Sequence, residues 1–158
     1  MALPSSIVTE IQTLPPATIE LGLGCQGEPG LRSISPIPSP EALTKEMISL
    51  LTDTSDSDRA FIPFTKSGNE EAILLVNSSG STSDEVLARF AELATEELES
   101  QGINVVRVTL GPMVTSLKQS GFGLTVWRLP AEGEKGSLSR EEALECWDGK
   151  VHTAAWRQ

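Results

Sequence analysis

Histidine, cysteine, aromatic rings, basic charge and long apolar runs are all scarce in these 158 residues, and each scarcity removes a class of function. One histidine, His152, and two cysteines, Cys25 and Cys146, stand far apart and in no metal-ligand spacing. A zinc site of the usual Cys/His type draws on closely spaced pairs of such residues, so no metal is expected. Aromatic residues make up 4% of the chain, too few for a platform on which bases stack. Twelve Lys and Arg against 22 Asp and Glu leave a formal charge of −10. A nucleic-acid backbone or an anionic membrane surface is met by a basic stripe, and the sequence offers none. No stretch approaches the roughly 18 apolar residues of a membrane helix. The start, "MALPSSIVTE", has neither the basic opening nor the apolar middle of a secretory signal. The expectation is a cytoplasmic protein with no nucleic-acid partner and no membrane partner.

What is present is an ordinary globular composition, 39% hydrophobic and 22% charged, in a chain long enough to bury the core of one domain. Residues 1–17, rich in Pro, Ser and Thr, read as a lead-in, and residues 18–158 as the folded part. Thr18 to Gly24 reads as a strand that runs into the turn "GCQGEPG". In "SPEALTKEMISLLTDT", Ser39 is placed to cap a helix and Pro40 to open it, with Leu43, Met47, Leu50 and Leu51 as its apolar face. Ala72 to Val76 is a continuous apolar run, the pattern of a strand buried on both faces. Ser83 then caps a second helix, with Asp84 and Glu85 in its first turn, where negative charge suits the helix dipole. Leu87, Phe90, Ala91, Ala94 and Leu98 form its buried stripe, Glu92, Glu96 and Glu99 its solvated face, and Gly102 its end. "INVVRVTLG" is the next strand, which makes a strand–helix–strand crossover. Beyond it come "PMVTSLKQSGF" as a short helix or turn, "GLTVWRL" as a strand, "SREEALECW" as a helix and "GKVHTAAWRQ" as a last edge strand. The fold class is α/β, a compact subdomain with a mixed sheet flanked by helices.

A glycine-rich turn at the end of a strand is where α/β proteins keep their chemistry. Glu28 in that turn is either an acid/base group, if the turn desolvates it, or a cap for neighbouring amides. Cys25 is either a nucleophile or a small apolar residue lining the turn. His152 is the one imidazole, so a mechanism that needs one must use it, although it falls in the closing segment. Trp127, Trp147 and Trp156 read as core or interface residues.

The order "ELGLG-x-x-GEPG", "LLVNSSGSTS", "VTLGPMVTSLKQSGFGLTVWRL" and "WDGKVHTAAW" resembles the dihydroxyacetone kinase family, specifically the second half of its substrate-binding kinase domain. The family shows, in the same order, a turn G-[IM]-H-[GN]-E-[PA]-G, a strand with V-N-N-L-G, a T-S-L-[DE]-M-x-G-F-S segment and a closing A-P-[TV]-x-[TA]-P-A-W. The resemblance implies a mixed α/β subdomain and a site shared with an N-terminal half that carries a phosphate-binding loop, a second histidine and an aspartate base. It also implies a separate helical nucleotide-binding domain. Family members hold dihydroxyacetone as a hemiaminal on the histidine of the glycine turn. That bond needs a neutral ring nitrogen, which is nucleophilic and can leave again.

The matching position here is Gln26. A carboxamide nitrogen is delocalised into its carbonyl and does not add to ketones. "VNSSG" at 76–80 keeps Asn77 but loses the following amide and leucine, and "TSLKQ" places Lys118 where the family has an acid. Gly22, Gly24, Gly27, Glu28, Pro29 and Gly30 are retained. The resemblance therefore implies a ligand pocket formed by Gly24, Cys25, Gln26, Gly27 and Asn77, with Gln26, Glu28 and His152 as the catalytic candidates. No phosphate loop "GxxxxGK[ST]" occurs, and no cofactor is expected. The expected protein is a kinase-like half-domain, not an autonomous kinase, that binds and rearranges a small carbonyl compound and forms a homodimer. The alternative is a degenerate or split kinase component, or a non-catalytic partner of one.

Overall fold

The computed structural model describes residues 14–23, 28–58, 60–116, 120–131, 133–134, 138–154 and 156. The chain falls into two compact units, Met1–Ser39 and Pro40–Gln158. The first contains a hairpin of two short antiparallel strands, β1 (Ile19–Leu21) and β2 (Arg32–Ile34), with Ile19 opposite Ile34 and Leu21 opposite Arg32. The sequence pattern showed β1 and not its partner, because three residues of "RSI" are too few to display an alternation.

The second unit is built on a three-stranded mixed sheet in the order β4–β3–β5. Its elements are α1 (Pro40–Thr52), β3 (Glu70–Ser78), α2 (Asp84–Ser100), β4 (Ile103–Gly111), β5 (Phe122–Arg128) and α3 (Arg140–Asp148). β3 lies in the middle, parallel to β4 and antiparallel to β5, which is why its sequence is apolar at consecutive positions. Ala72, Leu74 and Val76 point to one face, where they pack with Leu87, Ala91, Ala94 and Leu98 of α2, Ile48 of α1, and Phe64, Ile103 and Val126. Ile73 points to the other, against Leu129, Ala143, Trp127 and Trp147. Each such buried aliphatic side chain contributes on the order of 1.5–3 kcal/mol.

Helix ends follow the expected chemistry. Ser83 accepts from the Val86 amide, and Ser139 opens α3 with a reciprocal box in which Glu142 returns to the Ser139 amide at 2.7 Å. Gly102 closes α2 at φ +80°, and a Cβ there would stand 3.0 Å from the Gly68 nitrogen, so both conformation and space demand glycine.

Two expectations are corrected. The buried face of α1 is Leu43, Thr44, Ile48 and Thr52; of the expected stripe, Leu43 is buried and Leu51 packs partly against the same core, whereas Met47 and Leu50 are only half-buried. Two threonines can line it because their hydroxyls find partners: Thr44 donates to the Pro40 carbonyl at 2.8 Å, and Thr52 lies 2.9 Å from the Ile48 carbonyl and 2.8 Å from Gln101 Oε1. The expected edge strand at the C-terminus is also absent: residues 149–154 and 156 are irregular. Nothing in the sheet pairs with them. Instead, Trp156 meets the edge of Trp147 at 5.2 Å, and Trp147 in turn lies 5.9 Å from Trp127.

Candidate functional site

In the first unit, Gly24, Cys25, Gln26 and Gly27 lie outside the described residues. Their flanks are well defined. Gly22 ends β1 at φ +76°, and the Leu31 amide donates to the Leu21 carbonyl at 2.7 Å. Glu20, on β1, reaches across with Oε1 to accept the Gly30 amide at 2.9 Å. A Cβ on Gly30 would fall 2.5 Å from Glu20 Cγ, so the glycine is what lets this carboxylate fold back on the loop. Glu28, the expected acid/base group, is exposed. Glu20, which the sequence reading did not single out, caps an amide of this loop.

In the second unit, the C-terminal ends of the parallel strands β3 and β4 carry two loops of hydroxyl and amide groups, the position at which open α/β sheets bind ligands. Asn77 governs one of them. Its Oδ1 accepts the Met113 amide at 2.9 Å and the Val114 amide at 2.7 Å, and its Nδ2 donates to the Val114 carbonyl at 2.8 Å. This side chain, expected to hold a ligand, also ties down the loop after β4. The other loop folds on itself and on the first. Ser78 Oγ donates to the Thr82 carbonyl at 3.0 Å and accepts the Gly80 amide at 3.1 Å, while Thr82 Oγ1 donates to the Gly121 carbonyl at 2.8 Å. The Ser116 amide closes the pair by donating to the Ser79 carbonyl at 2.9 Å. The groups named are neutral and bond to one another, so they tie the two loops together at the ends of the parallel strands. Lys118 lies outside the described residues.

His152 is exposed in the irregular C-terminal segment. Cys146, on α3, is a free and exposed thiol. Among the described residues no cluster of His, Cys, Asp and Glu is arranged to hold a metal ion, and no helix is long and apolar enough to cross a membrane.

The strongest electrostatic feature is elsewhere, at the start of β3. Glu70 is 6% exposed. It accepts the Thr65 amide at 2.9 Å, the Lys66 amide at 2.6 Å and Arg128 Nε at 3.1 Å. Burial alone would raise its pKa, but the Thr65 amide, the Arg128 guanidinium and the Lys66 amide outweigh that and hold it below the usual glutamate range. Arg128 also donates to Glu134 at 2.9 Å, and Arg140 pairs with Glu71. Hydrogen bonding from Arg140 lowers the Glu71 pKa as well. These pairs join β3 to β5 and α3 and are structural. Their sequence signal was the single arginine inside "TVWRL", since a charge within an apolar strand calls for a partner.

The fold defines a mixed α/β domain whose loops gather at the carboxyl ends of two parallel strands. The Dak1 domain family matches residues 2–155, and the chain belongs to that family. It is 33% identical over 138 residues to the dihydroxyacetone kinase of Komagataella pastoris, covering 87% of this chain and 21% of that one. To the triokinase/FMN cyclase of Rattus norvegicus it is 32% identical, again over 87% of this chain and 21% of the relative. Among solved structures, one described as regulation of the dha operon of Lactococcus lactis superposes with a TM-score of 0.60 at 32% identity, over 72% of this chain and 33% of that chain. Another, the dihydroxyacetone kinase operon co-activator Dha-DhaQ, superposes with a TM-score of 0.61 at 32% identity and the same coverage. The chain thus spans about a fifth of the length of the curated relatives it matches.

Proposed function

We propose that this chain is a dihydroxyacetone-kinase-like half-domain that binds a small carbonyl compound without a covalent bond and transfers no phosphate by itself. The observation that carries the reading is Gln26, which stands where the family's carbonyl-capturing histidine is expected. A carboxamide donates a hydrogen bond to a ketone oxygen but forms no hemiaminal, so the retained glycine turn would bind without anchoring. Any turnover would be isomerisation or cyclisation by acid/base groups, with Glu28 and His152 as the candidates. That the family includes proteins named triokinase/FMN cyclase supports a Dak1 domain serving chemistry besides phosphoryl transfer. The acting form is a cytoplasmic homodimer.

A second reading, a non-catalytic regulator, is favoured by the 32% identity to a protein described as an operon co-activator. One set of measurements separates the two. Dihydroxyacetone is titrated into the chain and followed by amide chemical shifts. Intact-mass spectrometry then looks for an adduct, and product analysis with ATP and magnesium looks for phosphate transfer or rearrangement. Binding with no adduct and no phosphorylated product is the expected result. A rearranged carbonyl product favours the enzyme and its absence the regulator. An ATP-dependent phosphate product from the chain alone overturns the proposal.

A further inference from the structure

The last helix of the second unit is held differently from the other two. α1 and α2 stand on the Ala72–Leu74–Val76 face of the sheet, where α2 buries six of its seventeen residues. α3 covers the opposite face, over Ile73 and Leu129, and of its nine residues Ala143 is the one buried. Leu144 and Trp147 are only partly buried against that cluster, Trp147 meeting Trp127 of β5 at a ring separation of 5.9 Å. So thin an apolar contact supplies a small part of what α2 gains from burial. The other ties of α3 are electrostatic and sit at its two ends. Arg140, its first residue, pairs with Glu71 of β3, Nη2 to Oε1 at 3.0 Å and Nε to Oε2 beside it. Asp148, its last, accepts two bonds from Arg107 of β4, at 3.0 and 2.8 Å. The side chains of Arg107, Asp148 and Arg140 are 44%, 45% and 41% exposed and that of Glu71 26%, so salt reaches both pairs. Trp156 packs on Trp147, so the segment after α3 is fastened to the helix.

We propose that α3 is a detachable strap, clasped at both ends by ion pairs, and that ionic strength sets how often it lifts while α1, α2 and the sheet stay folded. Lifting uncovers Ile73, Val106 and Trp127, an apolar patch spread over β3, β4 and β5. The strap also unravels as it lifts. Nine residues are too few for a helix to persist alone in water, even with the Ser139–Glu142 box at its start. Its backbone amides then exchange with solvent, which makes the motion measurable. Salt acts on the clasps because the screening length falls from about 30 Å at about 0.01 M to about 3 Å at about 1 M. α2 rests instead on Leu87, Ala91, Ala94 and Leu98, whose apolar contacts are not screened.

Hydrogen exchange of the whole chain, read residue by residue by NMR at about 0.01 M and about 1 M potassium chloride, tests the strap. At low salt the α3 amides are expected to be about tenfold or more less protected than the slowest amides of α2. High salt is expected to lower α3 protection a further threefold or so, the amount two exposed pairs supply, and to leave α2 unchanged. Arg107→Gln removes one clasp from β4 without altering the helix itself. It is expected to lower α3 protection by about threefold at low salt, to leave α2 unchanged and to shrink the response to salt. Protection in α3 equal to that in α2 would overturn the strap, because the helix would then open only when the whole unit unfolds. Weak α3 protection that responds neither to salt nor to Arg107→Gln would overturn the ion pairs as its clasps and with them the proposal. A variant in which α2 loosens as much as α3 would overturn it too.

Discussion

Replacing Glu70 with alanine removes one carboxylate and the acceptor of three donors. Arg128 would keep only Glu134, which is 39% exposed at its side chain, while Arg128 itself is 13% exposed. Breaking a buried ion pair from one side costs about 3–5 kcal/mol, because the remaining charge stays out of water without its partner. Two features place this case at the lower end. Glu134 still neutralises part of the guanidinium, and the orphaned Thr65 and Lys66 amides belong to exposed residues that water can reach. The expected loss is about 3 kcal/mol, a fall in Tm of about 10 °C for a chain of this size. Urea unfolding followed by circular dichroism measures it, with the slope checked for two-state behaviour. The same experiment has a pH signature. The folded pKa of Glu70 lies below its unfolded value, so its contribution is complete above the ordinary glutamate range of about 4.3 and is lost as pH falls through the folded value. The gap between wild type and variant should hold from pH 8 to about 5 and shrink below about 4. A loss under about 1 kcal/mol at pH 7 would show that the amides and Arg128 are satisfied by water and that Glu70 is not a keystone. A gap that stays constant to pH 3 would refute the assignment of the low pKa.

Gly102→Ala should cost about 1–2 kcal/mol, since alanine meets both a left-handed φ and the Gly68 backbone; denaturant midpoints measure it, and an unchanged midpoint would mean the α2 terminus relaxes freely. Asn77→Ala should accelerate hydrogen exchange at the Met113 and Val114 amides at a cost of about 1–2 kcal/mol, whereas protection equal to wild type would show that Asn77 does not hold that loop. Gln26→His should yield no phosphorylated dihydroxyacetone when this chain is incubated with ATP and magnesium. A phosphorylated product from that variant would show that the histidine is the one thing this chain lacks.

Much of the second unit was legible in the sequence because its signals are local. The apolar run of β3, the Ser83 cap of α2 and Gly102 at the end of α2 each follow from neighbours a few residues apart. So did the candidate turn, whose glycine spacing and Gln26 are facts of order and identity that need no coordinates. What the sequence left open depends on residues far apart in the chain. Ile48 faces the core in place of Met47 because α2 and β3 set the angle at which α1 is met, and the hydroxyls of Thr44 and Thr52 can be satisfied there. The C-terminal segment reads as a strand by composition, yet an isolated strand gains nothing without an edge to bond, and its Trp156 packs on Trp147 instead. Asn77 has the same identity whatever it meets; only the return of Met113 and Val114 beside it decides that its Oδ1 and one Nδ2 hydrogen bond the backbone there. Glu70 and Arg128 stand 58 positions apart, and it is the antiparallel register of β3 and β5 that turns two ordinary charges into a buried pair. Local propensity is written in the order of residues, whereas partnership at a distance is settled only when the sheet closes.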